Sequence, residues 1–221
     1  MIEVLRKKIV QEEFDYQMLL DCLQGYARPR DKISDLLRKG MIIRVKKGLY
    51  IFGEDYRKRP YSREILANLI YGPSYISLEY ALQYHGLIPE RVEAVTSVTT
   101  GRSRRFTSPV GLFIYRKIPL PAFRLGMDRV EAGDDRAFLI ATPEKALADK
   151  IHIDRGLGIR TQKMMSAYLE NDLRIDSAGL IELKPELIDD IAQRYHSKKI
   201  RLTSDLIRRS RNRLQKGGTH A

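Results

Sequence analysis

Residues 26–52 place the strongest constraint on the fold, because they combine a short basic helix with a tight basic hairpin. Ile33, Leu36 and Leu37 recur at i, i+3 and i+4, which predicts a helix that buries one face. Pro29 suits the first turn, where its missing N–H would have no intrahelical partner. Gly40 is expected to end the helix, so the basic residues that precede it lie on a short amphipathic element.

Two runs rich in apolar and β-branched residues follow, at residues 41–45 and 49–52, and predict the strands of a hairpin. Lys46, Lys47 and Gly48 separate the runs, and the glycine supplies the freedom that a tight turn needs. Upstream, residues 14–23 predict a second amphipathic helix with Asp15 as its N-cap, and residues 2–9 suggest a first helix. Three helices and a two-stranded wing predict a winged helix-turn-helix domain, assigned to residues 1–56.

In such a fold the third helix can enter the major groove of DNA while the hairpin holds flanking phosphates. Arg28 and Arg30 are the candidates for reading bases, because arginine can make a bidentate contact to guanine. Asp31 and Asp35 also face outward and argue against DNA contact, since phosphates repel a carboxylate that has no arginine partner. The alternative for this helix is a solvated basic face without a ligand.

The distribution of charge favours a polyanionic partner. The chain of 221 residues has a net charge of +12 and a pI near 9.8. Residues 1–60 hold 14 basic and 9 acidic side chains, residues 61–190 hold 17 and 18, and residues 191–221 hold 9 and 1. The positive charge is therefore concentrated at the two ends.

Other sequence features predict a cytoplasmic protein without membrane association. No apolar run approaches the roughly 20 residues that a membrane span needs. The first residues lack the continuous apolar segment of a signal peptide. Cys22 is the only cysteine, which excludes an internal disulfide and is most simply interpreted as a buried thiol.

Beyond a boundary expected within residues 54–61, residues 61–221 predict a second domain of mixed helices and strands, so the fold class is α+β. Ser62 and Ser77 are expected to open helices, and Thr142 to cap another that runs to about residue 153. Residues 92–100 and 110–118 are predicted to be paired strands joined by a loop at 101–109. A further strand is predicted at 137–141, and helices at 159–169, 185–195 and 204–215.

Several sequence blocks resemble the AbiEi family of antitoxins. They are residues 38–40 (RKG) with 44–50 (RVKKGLY), 75–82 (YISLEYAL) with 85–87 (HGL), 113–116 (FIYR) and 142–147 (TPEKAL). Each block is modest alone, but their order makes the joint match fairly specific.

The resemblance implies a regulator and antitoxin of a type IV toxin–antitoxin (abortive infection) system. Such proteins repress their own operon, usually at inverted repeats, and counteract a nucleotidyltransferase-like toxin without a lasting complex. Carried over to this sequence, the resemblance assigns DNA contact to Arg28, Arg30, Lys32, Ser34 and Arg38 in the helix and to Lys46 and Lys47 in the wing. A dimer on DNA and a monomer with two DNA-binding surfaces are both open.

Two further basic sets are candidates for a second nucleic-acid or partner surface. Arg102, Arg104 and Arg105 lie in the predicted loop beside Phe106, which suggests backbone binding with base stacking, or else a solvated loop. The basic terminal helix, residues 198–216, is predicted to bind phosphates or an acidic partner, to pack on another subunit, or to keep the terminus soluble. Its candidate residues are Lys198, Lys199, Arg201, Arg208 and Arg209.

No catalytic motif supports an enzyme, and no cofactor is expected. The four histidines are scattered, and no metalloprotease, P-loop or nucleophile-elbow motif is present. His152 and Asp154 are close in sequence, and Glu79, Glu144, Asp149 and Asp154 are carboxylates to test as magnesium ligands. The alternatives to a DNA-binding antitoxin are an adaptor that binds an acidic protein stably and, less favoured, a nucleic-acid-processing enzyme.

Overall fold

The computed structural model describes residues 1–133, 135–154, 156 and 158–217. These residues form an α+β structure with one three-stranded and one six-stranded sheet, as the sequence predicts for the class. Within this part of the chain, no helix has both the length and the apolar character that crossing a membrane would require.

The first 52 residues form three helices and a small antiparallel sheet with strand order β1-β3-β2. The elements are α1 (Ile2–Lys8), β1 (Glu13–Asp15), α2 (Tyr16–Cys22), α3 (Pro29–Arg38), β2 (Ile42–Lys46) and β3 (Leu49–Phe52). The three predicted helices and the hairpin are confirmed. Strand β1 was not predicted, because three residues are too few to show a period.

Local interactions explain where these elements begin and end. The Asp15 carboxylate accepts a hydrogen bond from the backbone N–H of Met18 (2.9 Å), which confirms the predicted N-cap of α2. Gly40 adopts a φ of +65° after α3, a conformation that glycine tolerates best. A Cβ atom on Gly53 would lie 1.9 Å from the carbonyl oxygen of Gly40, so the end of β3 approaches the end of α3 too closely for any other residue.

The second half is built on a mixed sheet with strand order β6-β7-β5-β4-β9-β8, in which β5 pairs with β7 and β4 with β9 in parallel. Its elements up to the end of the sheet are α4 (Arg63–Ile70), β4 (Ser74–Ile76), α5 (Leu78–Tyr84), β5 (Val95–Thr99), β6 (Arg104–Ser108), β7 (Gly111–Lys117), α6 (Leu120–Phe123), β8 (Met127–Glu131) and β9 (Ala137–Ala141). The helices that follow are α7 (Pro143–Ile153), α8 (Gln162–Ala167) with a π-helical turn (Tyr168–Asp172), α9 (Ser177–Glu182), α10 (Pro185–Tyr195) and α11 (Lys198–Gly217).

The predicted pairing of residues 92–100 with residues 110–118 is confirmed as that of β5 with β7. The predicted connection was wrong, because the two strands are parallel and the expected loop at 101–109 contains the edge strand β6. Strand β6 begins with two exposed arginines, and such polar edge strands lack the apolar pattern that identifies buried ones. Helix α11 begins at Lys198, as predicted for the basic terminal helix at 198–216, and Ile200 in its first turn is fully buried.

The buried apolar side chains form two clusters that share strand β3. Tyr50 and Phe52 pack with α1, α2 and α3 in the smaller cluster, whereas Leu49 and Ile51 belong to the larger cluster of the second half. All four residues of β3 are buried, as a strand covered on both faces requires. The hairpin is therefore packed against both halves of the protein.

Candidate nucleic-acid interface

Helix α3 turns its apolar face into the smaller cluster and its basic side to solvent. Ile33 and Leu36 are buried, at 5% and 0% exposure. Arg28, Arg30 and Arg38 are exposed, as the helical period predicts. An open cavity of about 640 Å³ lies beside the N-terminal end of the helix, between Tyr16 and Leu20 of α2 and residues 27–31. The arginines at this end thus border a recess rather than a flat surface.

Each of the two outward aspartates has an arginine one turn away. Asp35 accepts a hydrogen bond from the Arg38 guanidinium, and Asp31 lies 4.0 Å from Arg28. These i,i+3 pairs are exposed and contribute only about 0.2–0.5 kcal/mol each. The arginines are therefore kept near the helix surface without being withdrawn from a competing phosphate.

The other α3 residues predicted to contact DNA differ in the contacts that they make within the protein. The Lys32 ammonium lies 5.4 Å from the centroid of the Tyr26 ring, a cation–π contact. The Ser34 hydroxyl donates to the backbone carbonyl of Arg30 (3.1 Å), so it is occupied locally. Among the described residues, the Arg30 guanidinium has neither an ion pair nor a hydrogen bond, which leaves all of its donors available.

The hairpin presents a different basic pair from the predicted one. Lys47 is exposed at the turn, but the Lys46 ammonium donates to the carbonyl of Ile70 at the end of α4. A shift in the strand register between Arg44 and Lys46 accompanies this arrangement, and Arg44 is exposed on β2. Lys46 therefore tethers the hairpin to the second half, and Arg44 is the exposed cation that sequence reasoning missed.

The second basic set lies at the edge of the large sheet. Arg102, Arg104 and Arg105 are exposed, the last two on β6, and Arg116 and Lys117 on β7 are exposed beside them. Phe106 points inward and contacts the rings of Tyr115 and Tyr71, with centroid separations of 5.7 and 6.0 Å. The expected stacking of a base on Phe106 is therefore wrong, because that ring is part of the core packing.

Some basic side chains of the terminal helix bind other groups of the protein, and others are exposed to solvent. Lys199 donates to the carbonyl of Asp154 (2.8 Å), and burial lowers its pKa. Arg208 pairs with Asp189 (2.7 Å). Burial alone would raise the pKa of Asp189, but hydrogen bonds from Ser204 and Arg208 lower it. Lys198, Arg201 and Arg209 are exposed, so they are the candidates from this set that remain available to a ligand.

The carboxylates considered as metal ligands are occupied by other protein groups. Asp154 accepts from Tyr168 (2.7 Å) and pairs with Lys150 (2.8 Å), which also pairs with Glu79 (2.8 Å). Glu144 accepts from the backbone N–H of Lys184 (3.0 Å). Within the described ranges, no group of three or more His, Cys, Asp or Glu side chains could hold a metal ion.

A buried polar network inside the second half was not anticipated from the sequence. Lys145 and Asp149 are fully buried and hydrogen-bonded to each other, and Asp149 also accepts from Ser77 (2.7 Å) and Tyr195. Burial lowers the pKa of Lys145, which Asp149 partly opposes, and burial raises the pKa of Tyr195. The available signal was a Lys–Asp pair at i,i+4 within an otherwise small and apolar stretch of α7.

Comparison with known proteins adds no assignment. The chain matches no protein-family model, and no curated protein sequence matches it. Its function is therefore argued from the arrangement of its own residues.

Proposed function

We propose that the chain is a DNA-binding antitoxin of the cytoplasm that represses its own operon and counteracts a nucleotidyltransferase-like toxin. In this proposal residues 1–56 act as a winged helix-turn-helix, with α3 in the major groove and the β2–β3 hairpin as the wing. The second half carries the antitoxin activity. The observation that carries the DNA-binding part is the exposed group of Arg28, Arg30 and Arg38 on α3 with Arg44 and Lys47 on the hairpin.

The order of elements supports the winged-helix assignment. Helix, strand, two helices and a hairpin follow one another, and β1 pairs with β3 to close a three-stranded sheet. The outer side of α3 is exposed, so the rest of the described chain does not cover it, and all of its exposed residues are polar or charged. An uncovered basic helix beside a basic hairpin suits contacts to bases and to flanking phosphates together.

The antitoxin part rests on the resemblance to the AbiEi family, and two of its blocks are joined in the fold. Residues 75–82 form β4 and the start of α5, and residues 142–147 begin α7. Ser77 in the first block donates to Asp149, two residues beyond the second block (2.7 Å), and Lys145 in the second block is hydrogen-bonded to the same carboxylate. Blocks that are distant in sequence thus contribute to one buried site.

DNA binding is tested with the DNA upstream of the gene and a scrambled duplex of equal length. Arg28→Ala with Arg30→Ala should reduce affinity for the upstream DNA at least about tenfold, since a bidentate contact to guanine discriminates by about 1–3 kcal/mol. Lys47→Ala should weaken binding to both duplexes and reduce the slope of log K against log salt by about 1. Arg91→Ala is the matched control, because Arg91 is exposed and pairs only with its neighbour Glu93 in the described structure.

Fluorescence anisotropy measures these affinities, and equal operator binding by the double variant and the wild type would refute the assignment. Antitoxin activity is measured separately, as rescue of growth on co-expression with the product of an adjacent nucleotidyltransferase-like gene. The double variant should still rescue growth. A complex with the toxin that survives gel filtration would instead favour the alternative, an antitoxin that acts by stable binding.

A further inference from the structure

Two adjoining cavities form one groove at the end of β7, here called the β7 groove. The first has a volume of about 560 Å³ and is lined by Arg116, Lys117 and His152 together with Ile118, Pro119, Ile153 and Ser103. The second, of about 340 Å³, is lined by Arg104, Arg105 and Arg116 with Ser103, Ile114 and Tyr115. Ser103 and Arg116 line both cavities, so the two lie side by side.

The β7 groove is positively charged, and the surrounding sequence contains no acidic residue that would neutralise this charge. Residues 94–127 contain six basic side chains and no acidic one, although residues 61–190 as a whole are nearly neutral. The described residues that line the groove include no carboxylate. Within the described structure the side chains of Arg104, Arg105, Arg116 and Lys117 form no ion pair, and all four are exposed. The rim of the groove therefore carries four uncompensated cations, with Arg105 and Arg116 on one face of the β6–β7 pair and Arg104 and Lys117 on the other.

The groove is held in shape by contacts that do not involve these cations. The backbone N–H of Lys117 donates to the Ser103 hydroxyl (3.0 Å), and that of Ile118 donates to the carbonyl of Thr99 (2.9 Å). His152 stacks on Tyr195 with ring centroids 4.3 Å apart. Tyr195 in turn is fixed by Lys145 (3.1 Å) and Asp149. The buried network thus positions one wall of the groove in advance of any ligand.

We propose that the β7 groove binds consecutive phosphate groups, supplied by a nucleoside polyphosphate or by the backbone of a single nucleic-acid strand. Guanidinium groups match phosphate oxygens through paired hydrogen bonds, and Arg105 and Arg116 project from the same face of the β6–β7 pair into a recess that Arg104 also borders. The recess is concave, which suits a single strand or a nucleotide better than the broad surface of a duplex. The groove is separate from α3, so this inference does not depend on the proposed operator binding.

The chemistry of the groove sets the expected selectivity. Phe106 and Tyr115 face the core, and the Tyr115 hydroxyl donates to the carbonyl of Ala67 (2.6 Å), so neither ring is available to stack a base. Affinity should therefore rise with the number of phosphates and depend little on the base. ATP and GTP should bind equally, more tightly than ADP, and AMP most weakly, with the series weakening as salt is raised.

The experiment uses the full chain and isothermal titration with ATP, GTP, ADP, AMP and inorganic triphosphate, and fluorescence anisotropy with a labelled single-stranded decamer. Arg116→Ala with Lys117→Ala should lower affinity for the ligand that binds by at least about tenfold. Arg129→Ala on β8 is the matched control, since that exposed arginine pairs with Glu131 and lies outside the groove.

Each outcome decides the proposal. Binding of nucleotides with loss in the groove variant identifies a nucleotide as the phosphate source, and binding of the decamer alone identifies a single strand. Binding of neither, or equal loss in the Arg129→Ala control, overturns the proposal. Preferential binding of an oligoglutamate peptide would also overturn it and indicate an acidic protein partner. Because the substituted side chains are exposed, thermal unfolding should be unchanged and should exclude misfolding of the variants.

Discussion

Asp31 and Asp35 lie on the side of α3 that is proposed to contact DNA, yet the cations beside them stay at the surface. Each lies within reach of an arginine on the same helix, Arg28 and Arg38 respectively. The carboxylates lower the net charge of α3 but also restrict the arginine side chains near the groove that they are proposed to enter. On the proposed DNA-binding face, this arrangement would reduce the general attraction to phosphates through the lower net charge, while the weak pairs leave the arginines able to contact bases.

Replacement of both acids should therefore strengthen binding without improving its specificity. Asp31→Asn with Asp35→Asn removes two negative charges from the side of α3 that is proposed to face DNA, and affinity for a scrambled duplex should rise about fivefold at low salt, on the order of 1 kcal/mol. Anisotropy titrations at several salt concentrations measure the change. Unchanged or weaker binding to the scrambled duplex would show that α3 does not face DNA.

The buried pair Lys145–Asp149 gives a stability prediction. Lys145→Met leaves the Asp149 carboxylate buried without its cation, and the free energy of unfolding should fall by about 3–5 kcal/mol. Adding Asp149→Leu should recover part of the loss, because no unpaired charge then remains. Urea unfolding measures both values. A double variant that is less stable than Lys145→Met would contradict this account.

At the residue scale, the sequence predicted well which basic side chains are exposed. It did not predict which of them are hydrogen-bonded to other parts of the protein. The helical periodicity alone correctly placed Arg28, Arg30 and Arg38 on the outside of α3. It did not reveal that Lys46 binds the carbonyl of Ile70, or that Arg211 binds the carbonyls of Ile181 (2.8 Å) and Leu183 (2.9 Å). Those acceptors are backbone atoms at least 24 residues away, which no local pattern specifies.

At the scale of elements, capping and periodicity predicted the helices, whereas the direction and order of strand pairing were not predictable. Thr142 accepts from the backbone N–H of Lys145 (3.3 Å) and starts α7 as expected. The parallel pairing of β5 with β7 and the edge position of β6 depend on the whole sheet. A strand with exposed arginines cannot be distinguished from a loop by its own composition.

The junction of α3 and β3 should be sensitive to a single methyl group. Gly53→Ala places a Cβ atom against the backbone of Gly40, which cannot move like a flexible side chain, so the free energy of unfolding should fall by about 2–4 kcal/mol. Gly25→Ala is the control, because no atom of the described structure lies within 4 Å of its Cβ position. Thermal unfolding followed by circular dichroism compares the two, and equal melting temperatures would contradict the close approach.

At the scale of the whole molecule, the two halves are joined by a buried ion pair as well as by strand β3. Glu13 of β1 is 1% exposed in its side chain and lies 3.3 Å from Arg136, close to the start of β9. It also accepts from the backbone N–H of Ser62 in the segment between the halves. The carboxylate thus connects three parts of the chain that are far apart in sequence.

Arg136→Ala should uncouple the two halves. The variant leaves Glu13 buried with its cation removed, and we expect the first 56 residues to unfold at a lower temperature than the remainder. Differential scanning calorimetry should show one transition for the wild type and two for the variant, with Arg91→Ala behaving like the wild type. A single sharp transition in the Arg136 variant would mean that β3 alone maintains cooperativity.

The shared strand β3 has a consequence for regulation. Its Leu49 and Ile51 side chains belong to the larger cluster and its Tyr50 and Phe52 side chains to the smaller one. Under the proposed function, a displacement of the hairpin by DNA would therefore alter packing in the second half. By thermodynamic reciprocity, any ligand of the second half that changes operator affinity must have its own affinity changed by the operator by the same factor.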